Sequence, residues 1–481
     1  MKSILASLFY LPLLGILLVS TLSPSFEFLD EFNRYDEKRL FQILAIFLLG
    51  TCSLLLNNVR HSLYKTLKTI PLTALLTISA FFILGMLSAI FSESPRHAFL
   101  NISLLLLLFL MSLYIASVVK SNVMTVSEWL MAAFIFAMSL HFFVFLSQFI
   151  MVLQGRIEPS FSGLFTGFVN PRFENHWEGM ILPIIIGTAI YYKNQSIKIF
   201  YITLFLAAFI WMNILFSSGR GVVIATITGV LFTGILFKAH RKIWLQLNLT
   251  VLASGIALYA LAIFAIYLAT DTYMLAHQEF IDSSSAGRLS LWQSALELIN
   301  LNPFIGIGPM HFAQFNYQNA IAAHPHNIIL QLLVEYGIIA TILVLSITLY
   351  GFFKWIGFSV DITNKQPEST ILYSALTSAF ITGNVHALVS GIWVMPLGQL
   401  TLIIIIGWMY GLYRQTNPIN IKPTKHYQQT LFTTFILLTL IGFFYSLYPE
   451  LSHLSNWIKT SFEATGYPIL HPRFWSQGYI F

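Results

Sequence analysis

The chain has 481 residues, of which 57% are hydrophobic and 9% charged, with a net charge of +6. A soluble domain carries about 25% charged residues, so a soluble surface of this size is excluded. A single cysteine, Cys52, excludes an intramolecular disulfide and a cysteine-based metal site. No Lys/Arg-rich block with interleaved aromatics points to nucleic acid, and the positive excess is read as a topology signal instead.

About 20 apolar residues cross a bilayer as a helix. Thirteen segments meet that description, near 4–22, 40–56, 70–92, 97–118, 126–153, 176–192, 199–216, 221–237, 243–269, 327–352, 370–391, 395–413 and 428–447. The expected fold is therefore an all-α polytopic integral membrane protein of about 13 transmembrane helices. The first segment runs into Thr21-Leu22-Ser23-Pro24 without an A-x-A-like cleavage site, so it reads as an uncleaved span. With the N-terminus in the cytoplasm, the inside segments collect Arg60, Lys65 and Lys68, then Lys238, Arg241 and Lys242, then Arg414, Lys422 and Lys425. The outside loops are longer yet poorer in cations, as the positive-inside rule requires. An odd number of spans leaves the tail 448–481 outside.

Three outside segments are long. Residues 23–39 carry Glu27, Asp30, Glu31, Asp36 and Glu37 and read as a solvated acidic surface. Residues 154–175 contain Gly167-Phe168-Val169-Asn170-Pro171-Arg172-Phe173. Residues 270–326 are too many for a bare connector. Within them Ser283-Ser284-Ser285 can cap a helix, and Leu289, Trp292, Leu296 and Ile299 recur at helical spacing before Asn302-Pro303 stops the run. That pattern predicts an amphipathic helix on the outer membrane interface, with Arg288 in its first turn. Gly306 and Gly308 read as a flexible return to His324-Pro325-His326-Asn327, where the tenth span begins.

Outside cations are scarce, which makes each informative. Arg220 sits in the tight turn Ser217-Ser218-Gly219-Arg220-Gly221, Arg288 is the one Lys or Arg within 270–326, and Arg172 stands at the mouth of the sixth span. An arginine at a bilayer edge can be a snorkelling anchor. Guanidinium forks also bind phosphate bidentately and keep their proton, and flanking glycines admit a phosphate to the backbone. His324 and His326 flank a proline at a helix start. Imidazole can take a proton from a hydroxyl near neutral pH, and the helix N-terminus favours anions. A His-x-His pair could also hold metal, but no third ligand stands at a recognisable spacing. Glu335 reads as a helix–helix bonding group, Gly337 as a point of close helix packing, and His141 as structural. His386 and Gln399 could line a cavity or bond a neighbouring helix.

Gly287-Arg288, Trp292, Asn302-Pro303-Phe304-Ile305-Gly306-Ile307-Gly308, His324-Pro325-His326-Asn327 and the stretch Gln331 to Gly337 together resemble the O-antigen ligase/polymerase superfamily. Ser218-Gly219-Arg220 matches the arginine turn these proteins place upstream. The superfamily includes O-antigen ligases, Wzy-type polymerases and PglL- or pilin-type protein O-oligosaccharyltransferases. The resemblance implies transfer of an undecaprenyl-diphosphate-linked glycan to a hydroxyl acceptor at the periplasmic face of the bacterial inner membrane, without nucleotide sugar, metal or other cofactor. It makes Arg220 and Arg288 the catalytic diphosphate-holding residues and His326 the acceptor-side catalytic group. Arg172, His324, Asn327, Trp292, His386 and Gln399 complete the expected substrate-binding set. Ala340 stands where the ligase subgroup carries Gly, Thr or Tyr.

Two features resemble protein transferases: Asn170-Pro171-Arg172-Phe173, and the thirteenth span followed by a tail ending His471-Pro472-Arg473-Phe474-Trp475. The expected partners are the lipid-linked glycan, a pilin-like acceptor protein or lipid A-core, and the bilayer. The expected division is 1–160 as N-terminal transmembrane helices, 161–410 as the ligase-like catalytic region with its loop 270–326, and 411–481 as the last span and tail. A rival from another class, a polyisoprenoid-glycan transporter, would predict charged or broken helices near mid-bilayer and paired repeats. Of these the sequence offers only Glu335 and scattered histidines.

Overall fold

Inside a bilayer every backbone polar group must be satisfied within the chain, which selects helices for apolar runs of this length. The computed structural model describes residues 2–25, 32–165, 167–271, 285–315, 322–366, 370–419, 425–465, 473–476 and 478. All regular structure among them is helical. In chain order the helices are α1 (Lys2–Leu22), α2 (Arg34–Leu55), α3 (Asn57–Leu67), α4 (Leu72–Ile90), α5 (Pro95–Ser121), α6 (Val123–Leu153) and the single turn α7 (Phe161–Leu164). There follow α8 (Asn175–Tyr192), α9 (Ile197–Phe216), α10 (Arg220–Leu236), α11 (Arg241–Thr270), α12 (Ser285–Leu301), the turn α13 (Phe312–Phe315), α14 (Ile328–Lys365), α15 (Ile371–His386), α16 (Pro396–Thr416) and α17 (His426–Thr465).

Each of the thirteen apolar segments lies on one of these helices. Among the described residues, nine helices are long and apolar enough to cross a membrane. The chain is a polytopic membrane protein. The bundle is built around α5, whose most apolar window is 83% buried. It packs on α16, where Gly407 and Gly411 are spaced as small-xxx-small. A Cβ on Gly407 would come within 2.6 Å of the Ser112 carbonyl oxygen, and one on Gly411 within 2.6 Å of Val119 Cβ. Close backbone approach substitutes here for the hydrophobic drive that lipid cannot supply between helices. A second group joins α8 to α15 and α9, and α10 to α15.

One expectation is corrected by the fold. The segment 23–39 is not a solvated surface where it is described. α2 begins at Arg34, because Asn33 caps it by accepting from the Tyr35 and Asp36 amides at 2.9 and 3.0 Å. Asp36, Glu37, Lys38 and Arg39 are then all buried. Their partners come from far along the chain: Asp36 accepts from the Ser476 amide and hydroxyl at 2.7 and 2.6 Å, and Lys38 donates to the Ser23 carbonyl. Glu27, Asp30 and Glu31 lie outside the described residues, as do Ser283 and Ser284 of the predicted cap.

α12 carries two apolar rows, one packed on the protein and one left exposed. Leu291, Ala295 and Leu298 are buried against Ile307, Phe312 and Val334, with Trp292 and Ile299 at the margin, whereas Leu289 and Leu296 are 61% and 56% exposed. Both rows are apolar, so periodicity alone could not choose between them. At 100° per residue, the observed inward face also contains Arg288.

Candidate functional site

α14 organises the site, and it is broken. Gly337 has φ 77 and ψ 174 inside the helix, a conformation that suits glycine and strains other residues. A carbonyl and an amide freed by the break are taken by the irregular segment 302–308. The Ile307 amide donates to the Val334 carbonyl at 2.8 Å, and the Ile338 amide to the Pro303 carbonyl at 2.8 Å. Approach is so close that a Cβ on Gly337 would sit 2.2 Å from the Phe304 carbonyl oxygen, and one on Gly306 2.5 Å from the Glu335 carbonyl carbon. The Asn-Pro-Phe-Ile-Gly-Ile-Gly motif is thus a fixed strap across a helix break rather than a flexible return. Gly306 and Gly308 hold positive φ of 74° and 112° within it.

At the other end of the same helix segment, Asn327 is the N-cap of α14, its Oδ1 accepting from the Ile329 and Leu330 amides at 2.9 and 3.1 Å. Asn327 therefore has a structural task of its own. His326, just before it, adopts a left-handed backbone with φ 53, a sparsely populated region for a residue with a Cβ. The His326 amide donates to His324 Nδ1 at 3.2 Å, and the two imidazoles lie 4.1 Å apart. His324 is buried, and a Cβ on Gly391 would meet its ring at 2.7 Å.

α12 is pinned to this turn. Trp292 Nε1 donates to the Pro325 carbonyl at 3.0 Å, and Arg288 stands one helical turn before Trp292 on the same face. Arg288 thereby comes close enough to His326 for its charge, after burial, to help push that imidazole down to about 4. His324 is driven well below the usual histidine range by burial, then by His326, Arg473 and His176. Both imidazoles are therefore neutral at physiological pH.

The other two arginines converge on the same place. The turn Ser217–Arg220 closes with Ser218 in the left-handed region, φ 52. Arg172, following the Asn170 side chain that caps its amide at 2.9 Å, reaches the Ser217 carbonyl through Nε at 3.5 Å. Asn175 Nδ2 donates to Ser217 Oγ at 2.6 Å and fixes the turn from the start of α8. Arg172 and Arg220 are exposed and Arg288 half-buried. Burial, then the charges of Arg172 and Arg220, push the Arg288 guanidinium below its ordinary value. Three cations held within electrostatic reach of one another repel, and an anion placed among them relieves that cost.

His386 completes this rim. Its ring packs beside Gly221, next to Arg220, and lies 5.6 Å from the His176 ring. Gln399 is elsewhere: it is buried in a cluster with Arg39, accepting from Arg39 Nη1 at 2.7 Å and donating to the Trp393 carbonyl at 2.8 Å. Of the residues singled out in the sequence, Arg172, Arg220, Arg288, Trp292, His324, His326, Asn327 and His386 are thus neighbours, and Gln399 is not among them. Among the described residues no three His, Cys, Asp or Glu side chains group as metal ligands.

Two residues of this region were missed. His176 opens α8, bonds Ser390 Oγ at 2.7 Å through Nε2, and leaves Nδ1 buried without a partner. A histidine interrupting the start of an apolar span was its only sequence signal. Arg473, buried in the C-terminal tail, is an electrostatic neighbour of His324, and nothing local in the sequence pairs it with that turn.

The fold and site define a multi-pass membrane protein whose cations and neutral imidazoles gather at one end of the bundle. A family model described as O-antigen ligase matches residues 202–345. That stretch contains Arg220, Arg288, His324, His326 and the broken helix at Gly337. The match supports the O-antigen ligase/polymerase superfamily and, with it, an O-antigen ligase-like glycosyltransferase activity in a membrane. No curated protein matches the chain.

Proposed function

We propose that the protein transfers a glycan from an undecaprenyl-diphosphate carrier to a hydroxyl acceptor, with a pilin-like protein as the acceptor. The observation that carries the proposal is the gathering of Arg172, Arg220 and Arg288 beside His326. Diphosphate is the anion best suited to two or three guanidinium forks at a membrane surface. The exposed apolar edge of α12, Leu289 and Leu296, supports a helix resting in the interface above the carrier's isoprenoid chain.

In this reading the arginines neutralise the diphosphate, which leaves with the electron pair of the bond to the anomeric carbon. The acceptor hydroxyl attacks that carbon and forms the new glycosidic bond. Its proton passes to His326, and direct displacement inverts the anomeric centre. Unloaded, His326 at about 4 is a weak base. A bound diphosphate offsets the Arg288 charge and raises the imidazole toward the pH at which general-base catalysis is most effective.

The acceptor rests on the Asn170–Phe173 run and on the span and tail after 411. The second reading is an O-antigen ligase acting on lipid A-core, favoured by the description of the family matched over 202–345. Purified protein in liposomes with lipid-linked glycan tests both. Transfer to a pilin-like protein but not to lipid A-core supports the first; the reverse supports the second. Extension of the glycan alone would indicate a Wzy-type polymerase. Flipping of the carrier without transfer would overturn all three and indicate a transporter.

A further inference from the structure

The C-terminal tail packs into the bundle and buries a short segment there. Arg473, Phe474, Trp475 and Ser476 are all buried. The tail is held on one side by the start of α2: Tyr35 Oη donates to the Arg473 carbonyl at 2.7 Å, Arg39 Nε to the Phe474 carbonyl at 2.9 Å, and Asp36 accepts twice from Ser476. On the other side the Arg473 side chain enters α14. Its Nη2 donates to both Glu335 oxygens at 2.5 and 2.6 Å. With the Gln331 amide oriented to satisfy its neighbours, its carbonyl oxygen accepts from Nη1 at 2.7 Å and Nη2 at 2.9 Å.

Glu335 stands two residues before the helix break. Its carboxylate also accepts from the Met310 backbone, and its carbonyl accepts from Ser88 Oγ at 2.9 Å. One ion pair therefore joins the tail, the strap leading from 302–308 into Met310, and the broken helix. Gln331 is one turn from Asn327, whose carbonyl accepts the Gln331 amide at 2.9 Å. The same guanidinium also reaches His324 electrostatically.

We propose that Arg473 is a positioning residue of the transfer site. Through Glu335 and Gln331 it clamps the first turns of α14, and so holds the His324–Asn327 turn that presents His326. A buried ion pair of this kind is a poor source of net stability, because desolvation offsets most of its attraction, yet losing one partner strands a buried charge. Its use is better sought in geometry. Here it fixes a helix break and a strained histidine, neither of which would hold its shape unaided.

The charge has a second consequence. His324 must be neutral for its Nδ1 to accept from the His326 amide. The groups facing it are His326 on its own turn, His176 from α8 and Arg473 from the tail, with Gly391 packed on its ring. Facing Arg473 are Glu335 and Gln331 from α14 and Tyr35 and Arg39 from α2. Removing the Arg473 cation lets His324 protonate at higher pH, which breaks the bond to His326. The acidic limb of activity then moves upward in pH.

The inference rests on the transfer reading above, and its test separates the two. Full-length wild type, Arg473→Gln, Arg473→Lys and Glu335→Gln are reconstituted in liposomes with undecaprenyl-diphosphate-linked glycan and the acceptor that wild type uses. Amide hydrogen exchange is followed at 303–310 and 324–331 in the same preparations. The expected result for Arg473→Gln is faster exchange in both segments and kcat lower by about 100-fold. The KM for the lipid donor is kept, and the acidic limb is shifted upward. Arg473→Lys, which keeps the charge, retains the wild-type limb and recovers part of kcat even if Arg473→Gln accumulates poorly. Unchanged exchange in Arg473→Gln overturns the clamp. Faster exchange with wild-type kcat overturns the positioning role. If wild type itself transfers nothing, the transfer reading fails, and the exchange data alone still decide whether the clamp exists.

Discussion

Two groups of arginines teach opposite lessons. Arg39 is buried, and its donors are taken up by the protein: the Phe474 and Val394 carbonyls at 2.9 and 2.5 Å, and the Gln42 and Gln399 side-chain oxygens at 2.5 and 2.7 Å. Arg473 is used in the same way by Glu335 and Gln331. The terminal nitrogens of both forks are taken up inside the protein, although Arg473 Nε is buried without a partner. Arg172, Arg220 and Arg288 are partly or wholly exposed and press on one another electrostatically. A filled fork marks architecture, whereas cations crowded at a surface mark a place prepared for an anion.

The crowded group should be indispensable to transfer. Arg288→Ala and Arg220→Ala are each expected to lower kcat/KM by about 10²–10³-fold, and the double variant to fall to background. The protein should still accumulate in the membrane, since neither side chain is buried in the core. Transfer assays alongside membrane protein levels check this, and full activity in either single variant would overturn the site. His326→Ala follows, with a loss of about 10²-fold or more, read as kcat with donor KM retained.

The pH profile reports on the same crowded group. His326 acts in its neutral form, so activity is lost as pH falls through its pKa. In the free protein, burial and Arg288 hold that value at about 4. Diphosphate beside Arg288 weakens the second cause and raises the pKa. The acidic limb of kcat, which reports the loaded protein, is therefore expected at higher pH than that of kcat/KM. Coincident limbs would mean that the anion does not sit beside Arg288.

Much of this was legible in the sequence, for reasons that also explain what was not. The apolar runs fixed the helices because a bilayer leaves the backbone no alternative. The arginine turn and the His-Pro-His-Asn turn were visible because cations are few in the loops read as outside. The edges failed where partners are remote. The acidic first turn of α2 is buried rather than solvated because Ser476 hydrogen-bonds Asp36, and no local pattern encodes a partner 440 positions away. Glu335 was expected to bond another helix, and its partner is instead Arg473 of the tail, 138 positions on. The row of α12 that packs on the protein, Leu291, Ala295 and Leu298, was not picked out because both of its faces are apolar. Gly337 could be seen as a close-packing site, but not as a helix break, because only the strap's backbone explains one.

That strap gives the next prediction. Gly337→Ala places a Cβ 2.2 Å from the Phe304 carbonyl oxygen at φ 77. Strain and collision together should cost about 3 kcal/mol. The measurement is the thermal midpoint in lipid, with hydrogen exchange at 303–307 rising in the variant. An unchanged midpoint would mean that the strap is not seated on the break.

The smallest effect belongs to the filled group and tests it from the other direction. Gln399→Leu removes one acceptor from Arg39 and one donor from the Trp393 carbonyl. Arg39 keeps Gln42, Val394 and Phe474, so no charge is stranded, and the cost should be about 1–2 kcal/mol. If Gln399 serves only this cluster, the midpoint falls while donor KM and acceptor KM stay at wild-type values. If instead donor KM rises with the midpoint unchanged, Gln399 belongs to the substrate, and the Arg39 cluster must be counted as an extension of the site rather than as its scaffold.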